Sequence, residues 1–223
     1  MSEISPPAPA RVSSISYLGL FVALFGMLIA RQLVNVFWPG NTFGSAVLKE
    51  IGMWIVAIVL VVIIRRGEGL PLSSVGFSAA RLGRSLLRGL LVGIACFLVA
   101  GVIVHLTHFN GGEAGKAMSQ LPLWFVTLIV IRAGIVEELC YRGYAIERLH
   151  ALGLPRSVAA LVPLVIFGVG HWTGGWANIL LALALGGILA AFYVWRRDLL
   201  ANMFGHFLVD FVPNVLSRLF GAA

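Results

Sequence analysis

Long apolar runs alternate with short polar breaks along most of the chain. Seven runs approach the roughly 20 residues that a membrane-crossing helix needs. They lie near Ser14–Trp38, Ala46–Ile64, Leu86–Leu106, Leu121–Val136 and onward, Val158–His171, Ile179–Trp195 and Leu199–Phe220. Breakers separate them: Pro39-Gly40-Asn41, Gly67–Ser74 with Pro71, Gly111-Gly112, Gly153-Leu154-Pro155 and Gly174-Gly175. Charges interrupt the runs at Arg31, Lys49, Glu50 and Arg132. Ala182, Gly186 and Ala190 recur every fourth residue, a small-residue stripe suited to close helix packing in lipid. No internal repeat is visible. The pattern predicts an all-α, polytopic transmembrane helix bundle of about seven spans.

Composition supports that class. The chain is 60% hydrophobic and 11% charged, whereas a soluble domain carries about 25% charged residues. Too few polar groups remain to coat a water-facing surface, so an integral membrane protein is predicted. The net charge of +7 gives orientation and no nucleic-acid footprint, because the basic residues cluster between apolar runs without interleaved aromatics. With the N-terminus cytoplasmic, Arg11, Arg65, Arg66, Arg81, Arg84, Arg88, Arg142, Arg148, Arg156, Arg196 and Arg197 fall inside; Lys49, Lys116 and Arg218 fall outside. The predicted location is the cell (inner) membrane. Residues 1–13, polar and proline-rich, read as a disordered cytoplasmic tail. The run after them is longer than a signal-peptide core and lacks a small-residue cleavage site, so it reads as a retained anchor. Cys96 and Cys140 are expected to be free thiols.

Ionisable residues inside these runs are the candidate chemistry. An acid or base at a helix centre costs roughly 2.5–3.5 kcal/mol on insertion scales. Four of them facing lipid (Glu137, Glu138, Arg142 and Asp210) would cost about 10–14 kcal/mol, so they must face protein or trapped water. In a helix of 3.6 residues per turn, Glu138 and Arg142 share a face, acid before base, while Glu137 points about 100° away. Glu138 is therefore expected to partner Arg142, leaving Glu137 for a substrate, water or a metal. The plain alternative is a solvated helix end carrying both acids. His171 follows Phe167 by one turn, where the ring can wall or orient the imidazole; the plain reading is an interfacial histidine. His206 and Asp210 are also one turn apart, and a carboxylate on one ring nitrogen fixes the tautomer. That pair could equally serve only to lock helices together. Gly205 is expected to leave room beside His206. His105 and His108 read as interfacial, and Arg132 as facing the bundle interior with its partner unidentified.

The ordered set Glu-Glu-x-x-x-Arg, Phe-x-x-x-His and His-x-x-x-Asn/Asp, on separate membrane helices, resembles the CPBP family. These are the type II CAAX prenyl endopeptidases and their bacteriocin-processing and immunity relatives. The matching positions are Glu137, Glu138, Arg142, Phe167, His171, His206 and Asp210. The resemblance implies a protease core over residues 121–223 with a four-helix catalytic centre, and it leaves residues 14–120 as accessory helices. Its implied catalytic residues are Glu137, His171, His206 and Asp210, with Glu138, Arg142 and Phe167 in support. Signatures of other intramembrane proteases are absent, and nothing is spaced to activate Cys140 as a nucleophile.

Two mechanisms stay open. In one, Glu137 and His171 activate a water and His206 stabilises the oxyanion, with Asp210 behind it. In the other, His171, His206 and Glu137 hold zinc, which lowers the pKa of bound water. The resemblance favours the metal-free scheme. An ionised Asp210 cannot donate to an oxyanion, which points it towards orienting His206 or binding metal. The expected substrate is a membrane-embedded or lipidated peptide, either CAAX-like or a leader. A transporter or proton relay using the same residues is the alternative function, and a non-catalytic adaptor a third. One geometric difficulty stands: simple spans place His171 at the far end of the fifth run, away from Glu137 and His206.

Overall fold

The computed structural model describes residues 13–40 and 42–221, and among these the secondary structure is helical with no strands. Of the predicted tail 1–13, only Ser13, which precedes the first helix, falls within the described residues. Eight helices follow. They are α1 (Ser14–Phe37), α2 (Phe43–Gly67), α3 (Leu82–Thr107), the short α4 (Gly112–Ser119), α5, α6 (Arg156–Gly170), α7 (Trp176–Arg196) and α8 (Leu199–Leu219). Helix α5 is a continuous run over 123–151. An α-helical start, Leu123–Arg132, passes into a π-helical stretch, Ala133–Tyr144, and back to α-helix over Ala145–Ala151.

Helices α1, α2, α3, α7 and α8 are long and apolar enough to cross a membrane, and the protein is an integral membrane protein. Helix α6 is apolar but has 15 residues, about 22 Å against a hydrocarbon core of about 30 Å. Helix α5 carries the charges. The eight-residue α4 was not anticipated from sequence, where Gly111-Gly112 reads only as a break.

Small residues set the packing, because helices in lipid associate through close backbone approach. A Cβ at Gly89 of α3 would lie 2.6 Å from the Ala201 carbonyl oxygen of α8, and one at Gly205 would lie 2.9 Å from the Gly89 oxygen. Gly205 therefore serves the α3–α8 crossing. In the predicted stripe, Ala182, Gly186 and Ala190 are all buried. Helix α5 lies at the centre, with Val136, Leu139, Cys140, Tyr144 and Ile146 in a core shared with α1, α2 and α6.

Helix rise removes the difficulty over His171. Helices α5 and α6 are joined by a short loop, and counting back from it Glu137 and His171 both stand about four turns up, roughly 20 Å. Helix α8 does not start at that loop. Leu199 is fully buried against Gly143, whose Cβ would lie 2.9 Å from Leu199 Cδ2. Starting about two turns higher, α8 carries His206 to the same level. The segment beneath it, Leu72–Val75 with Gly76, fills the gap; Val75 is fully buried and Leu199 N donates to the Gly76 oxygen at 3.0 Å.

Candidate active site

Glu138 is the hub at this level. Its carboxylate is fully buried and accepts from three donors: Arg142 Nη1 at 2.8 Å and His206 Nδ1 at 2.7 Å on Oε1, and Asn202 Nδ2 at 3.0 Å on Oε2. A buried carboxylate is tolerated when its lone pairs are filled this way. Arg142 is equally enclosed. It donates to the Gly186 carbonyl oxygen at 3.1 Å and lies over the Phe167 ring at 4.5 Å. Gly186 is required here, since a Cβ would sit 2.8 Å from Arg142 Nη2. The acid of α5 that touches an imidazole is thus Glu138, beyond its expected pairing with Arg142.

His206 is buried, and because its Nδ1 faces a carboxylate, that nitrogen carries a proton. Its Nε2 points towards Asp210 Oδ2, 3.5 Å away and partly exposed. Asn202, His206 and Asp210 form one stripe at four-residue spacing on α8. The four-residue spacing that marks His206 and Asp210 in the sequence extends back to Asn202.

Phe167 separates the two imidazoles. Its ring centre is 4.5 Å from that of His171 and 6.4 Å from that of His206, and Tyr141 packs edge-on at 5.3 Å. His171 caps α6, and its Nδ1 lies 2.7 Å from the Phe167 carbonyl oxygen. A carbonyl only accepts, so Nδ1 donates and Nε2 is left as the acceptor. Asn178 Nδ2 donates to the His171 carbonyl at 3.0 Å and holds the turn.

Glu137 is not free. Arg132 Nη1 donates to its Oε1 at 2.6 Å, while Arg132 Nε and Nη2 form a two-point bridge to Glu50 of α2 at 3.0 and 3.1 Å. This gives the interior arginine its partners. In an α-helix, residues five apart diverge by about 140°. In a π-helix the i→i+5 hydrogen bond brings them onto one face, and the Arg132–Glu137 pair spans the start of the π stretch. Glu137 Oε2 has no bonded partner among the described residues. Glu50, from a helix outside the family motif, read from sequence only as a charge blurring a span.

The metal reading requires His171, His206 and Glu137 to converge. Among the described residues no group of three or more His, Cys, Asp or Glu side chains is arranged to hold a metal ion. His171 Nδ1, His206 Nδ1 and Glu137 Oε1 are hydrogen-bonded, so His171 Nε2, His206 Nε2 and Glu137 Oε2 are the atoms that would ligate a metal. Cys140 and Cys96 are both buried free thiols.

Fold and site together define a membrane-embedded helical protein with a buried carboxylate–imidazole–guanidinium centre. Residues 119–212 match the family model described as type II CAAX prenyl endopeptidase, Rce1-like, and over that segment the chain is similar to the CPBP family. The matched segment holds every site residue named above except Glu50. No curated protein and no solved structure matches the chain.

Proposed function

We propose that this protein is an intramembrane endopeptidase that hydrolyses a peptide bond of a membrane-associated substrate, a CAAX-like tail or a leader peptide, using water activated by Glu137 and His171. The observation that carries this reading is the level at which the groups sit. Glu137, His171 and His206, from three helices, stand about 20 Å above the α5–α6 loop, and the two imidazoles flank the Phe167 ring.

The division of labour follows from which atoms are already bonded. His171 Nε2 and Glu137 Oε2 are the open acceptors, suited to orienting a water and taking its proton as it attacks the carbonyl carbon. The hydroxide oxygen forms the new C–O bond, the carbonyl oxygen takes up negative charge, and collapse breaks the C–N bond as the amine leaves with a proton. His206, fixed at Nδ1 by Glu138, presents Nε2 to the developing oxyanion, and that edge supplies a donor when protonated. Asp210 then orients this edge and need not donate itself. Arg142 and Asn202 hold Glu138, and Phe167 keeps the imidazoles apart. This reading is metal-free, and no step is routed through a metal.

We further propose the accessory role for α1–α3, a cytoplasmic N-terminus and residence in the cell (inner) membrane. The arginine distribution supports the orientation.

Proteoliposomes test the reading against transport. Purified wild-type protein is expected to cleave a membrane-spanning peptide library without moving solute. Solute or proton flux without cleavage would replace this reading with the transporter.

A further inference from the structure

At the end of the bundle opposite the arginine-rich ends lies a cleft of about 320 Å³, lined by Leu28, Arg31, Gln32, Asn35, Trp172 and Thr173. Arg31 Nη2 donates to Thr173 Oγ1 at 3.2 Å, and Asn35 Nδ2 donates to Gln32 Oε1 at 3.1 Å, which leaves the Gln32 amide N–H groups unspent. Lys49 stands beside Arg31. Helices α1 and α2 approach so closely that a Cβ on Gly52 would lie 3.2 Å from Ala30 Cβ, and Lys49 is one turn from Gly52.

Among the described residues the acids are committed elsewhere. Glu50 and Glu137 hold Arg132, Glu138 holds Arg142, and Glu68 holds Arg148. Glu147 holds Arg197, Asp198 holds Arg88, Glu113 holds Lys116, and Asp210 lies at His206. Two adjacent cations in partly desolvated helices therefore lack a counter-charge from the described protein, an arrangement that like-charge repulsion makes unfavourable. An anion from outside relieves it. Trp38, Trp172 and Trp176 are exposed around the same end, as residues are at headgroup depth.

We infer that this cleft binds the phosphate of an anionic glycerophospholipid headgroup. The guanidinium fork matches two phosphate oxygens, and Lys49 adds a point charge. Gln32 and Thr173 offer further polar contacts, while Leu28 extends apolar surface towards the acyl chains. A zwitterionic lipid would bring a third cation into the cleft and is disfavoured. A soluble phosphate ester shares the chemistry but lacks the acyl anchor. The inference is independent of the proposed hydrolysis.

The test is native mass spectrometry of the full chain, released from mixed micelles holding phosphatidylglycerol and phosphatidylcholine of identical acyl chains. Wild type is expected to retain phosphatidylglycerol about tenfold over phosphatidylcholine, the ratio that 1.4 kcal/mol gives. Arg31→Gln abolishes the preference and Arg31→Lys keeps part of it. Lys49→Gln, at a side chain with no hydrogen bond among the described residues, lowers it independently and gives the same readout should Arg31→Gln fold poorly. Equal retention of the two lipids, or an unchanged preference in both Gln variants, overturns the inference. Glycerol phosphate binding as tightly as the lipid overturns the lipid source and leaves an adventitious anion site.

Discussion

Glu137 and Glu138 are neighbours in sequence, yet replacing each by glutamine should have opposite consequences. In Glu138→Gln the shape is kept, but the negative charge shared by Arg142 and His206 is lost. The oxygen that accepts from Asn202 Nδ2 becomes an amine facing an amine, or else the Oε1 acceptor is sacrificed instead. Arg142, 1% exposed, is left without a counter-charge. Removing one partner of a buried pair costs about 3–5 kcal/mol. At about 2–4 °C per kcal/mol for a chain of this size, the melting temperature should fall by about 6–20 °C. In Glu137→Gln, Arg132 keeps its two-point bridge to Glu50, and the glutamine oxygen still accepts from it. That change should cost about 1 kcal/mol or less while abolishing cleavage. Thermal unfolding in detergent, followed by loss of the monodisperse chromatographic peak, measures both variants beside wild type. Equal melting temperatures for the two variants, or a larger drop in Glu137→Gln, would refute the assignment of Glu138 as the buried hub.

Further outcomes follow from the same contacts. Gly186→Ala places a methyl 2.8 Å from Arg142 Nη2 and 3.1 Å from Phe167 Cδ1, and should cost about 1–3 kcal/mol by overpacking, read as a lowered melting temperature. Below the membrane, burial pushes the Glu68 carboxyl up, but hydrogen bonds from Arg148, Ser16 and Tyr144 outweigh it and hold the carboxyl below its ordinary value of 4.5. Its stabilisation is therefore present above pH 4.5 and lost as pH falls through the depressed value. The melting-temperature gap between wild type and Glu68→Gln should persist at neutral pH and close in acid; a gap that widens in acid contradicts the sign. Cys140→Ala should retain cleavage, and loss of cleavage with an unchanged melting temperature would restore the thiol as a candidate nucleophile.

Helical class, membrane class and the motif residues were legible because each rests on hydrophobic period or on a charge in lipid; the number of spans was not, since five helices are long and apolar enough to cross a membrane against about seven expected. What could not be read was what depends on departure from ideal helix geometry. The partner of Arg132 is five residues away, which a period of 3.6 places on the wrong face; only the π stretch joins Arg132 to Glu137. The level of His206 depends on α8 starting two turns above the loop, a height set by Leu199 against Gly143 and by the Val75 segment underneath. Glu50 sits in an accessory helix with no motif to mark it. Asn202 lies one turn before His206 on the same stripe, but an uncharged amide carries no large cost in lipid to mark it.

The central claim is that Glu137, together with the imidazoles of His171 and His206, performs hydrolysis inside the membrane. Its most direct test is single-turnover cleavage of one identified peptide by wild type, Glu137→Gln, His171→Ala and His206→Ala in the same vesicles, with folding verified for each. Each folded variant is expected to lose on the order of 10²-fold or more, the scale of positioned acid–base groups. A folded Glu137→Gln protein cutting at the wild-type rate would contradict it.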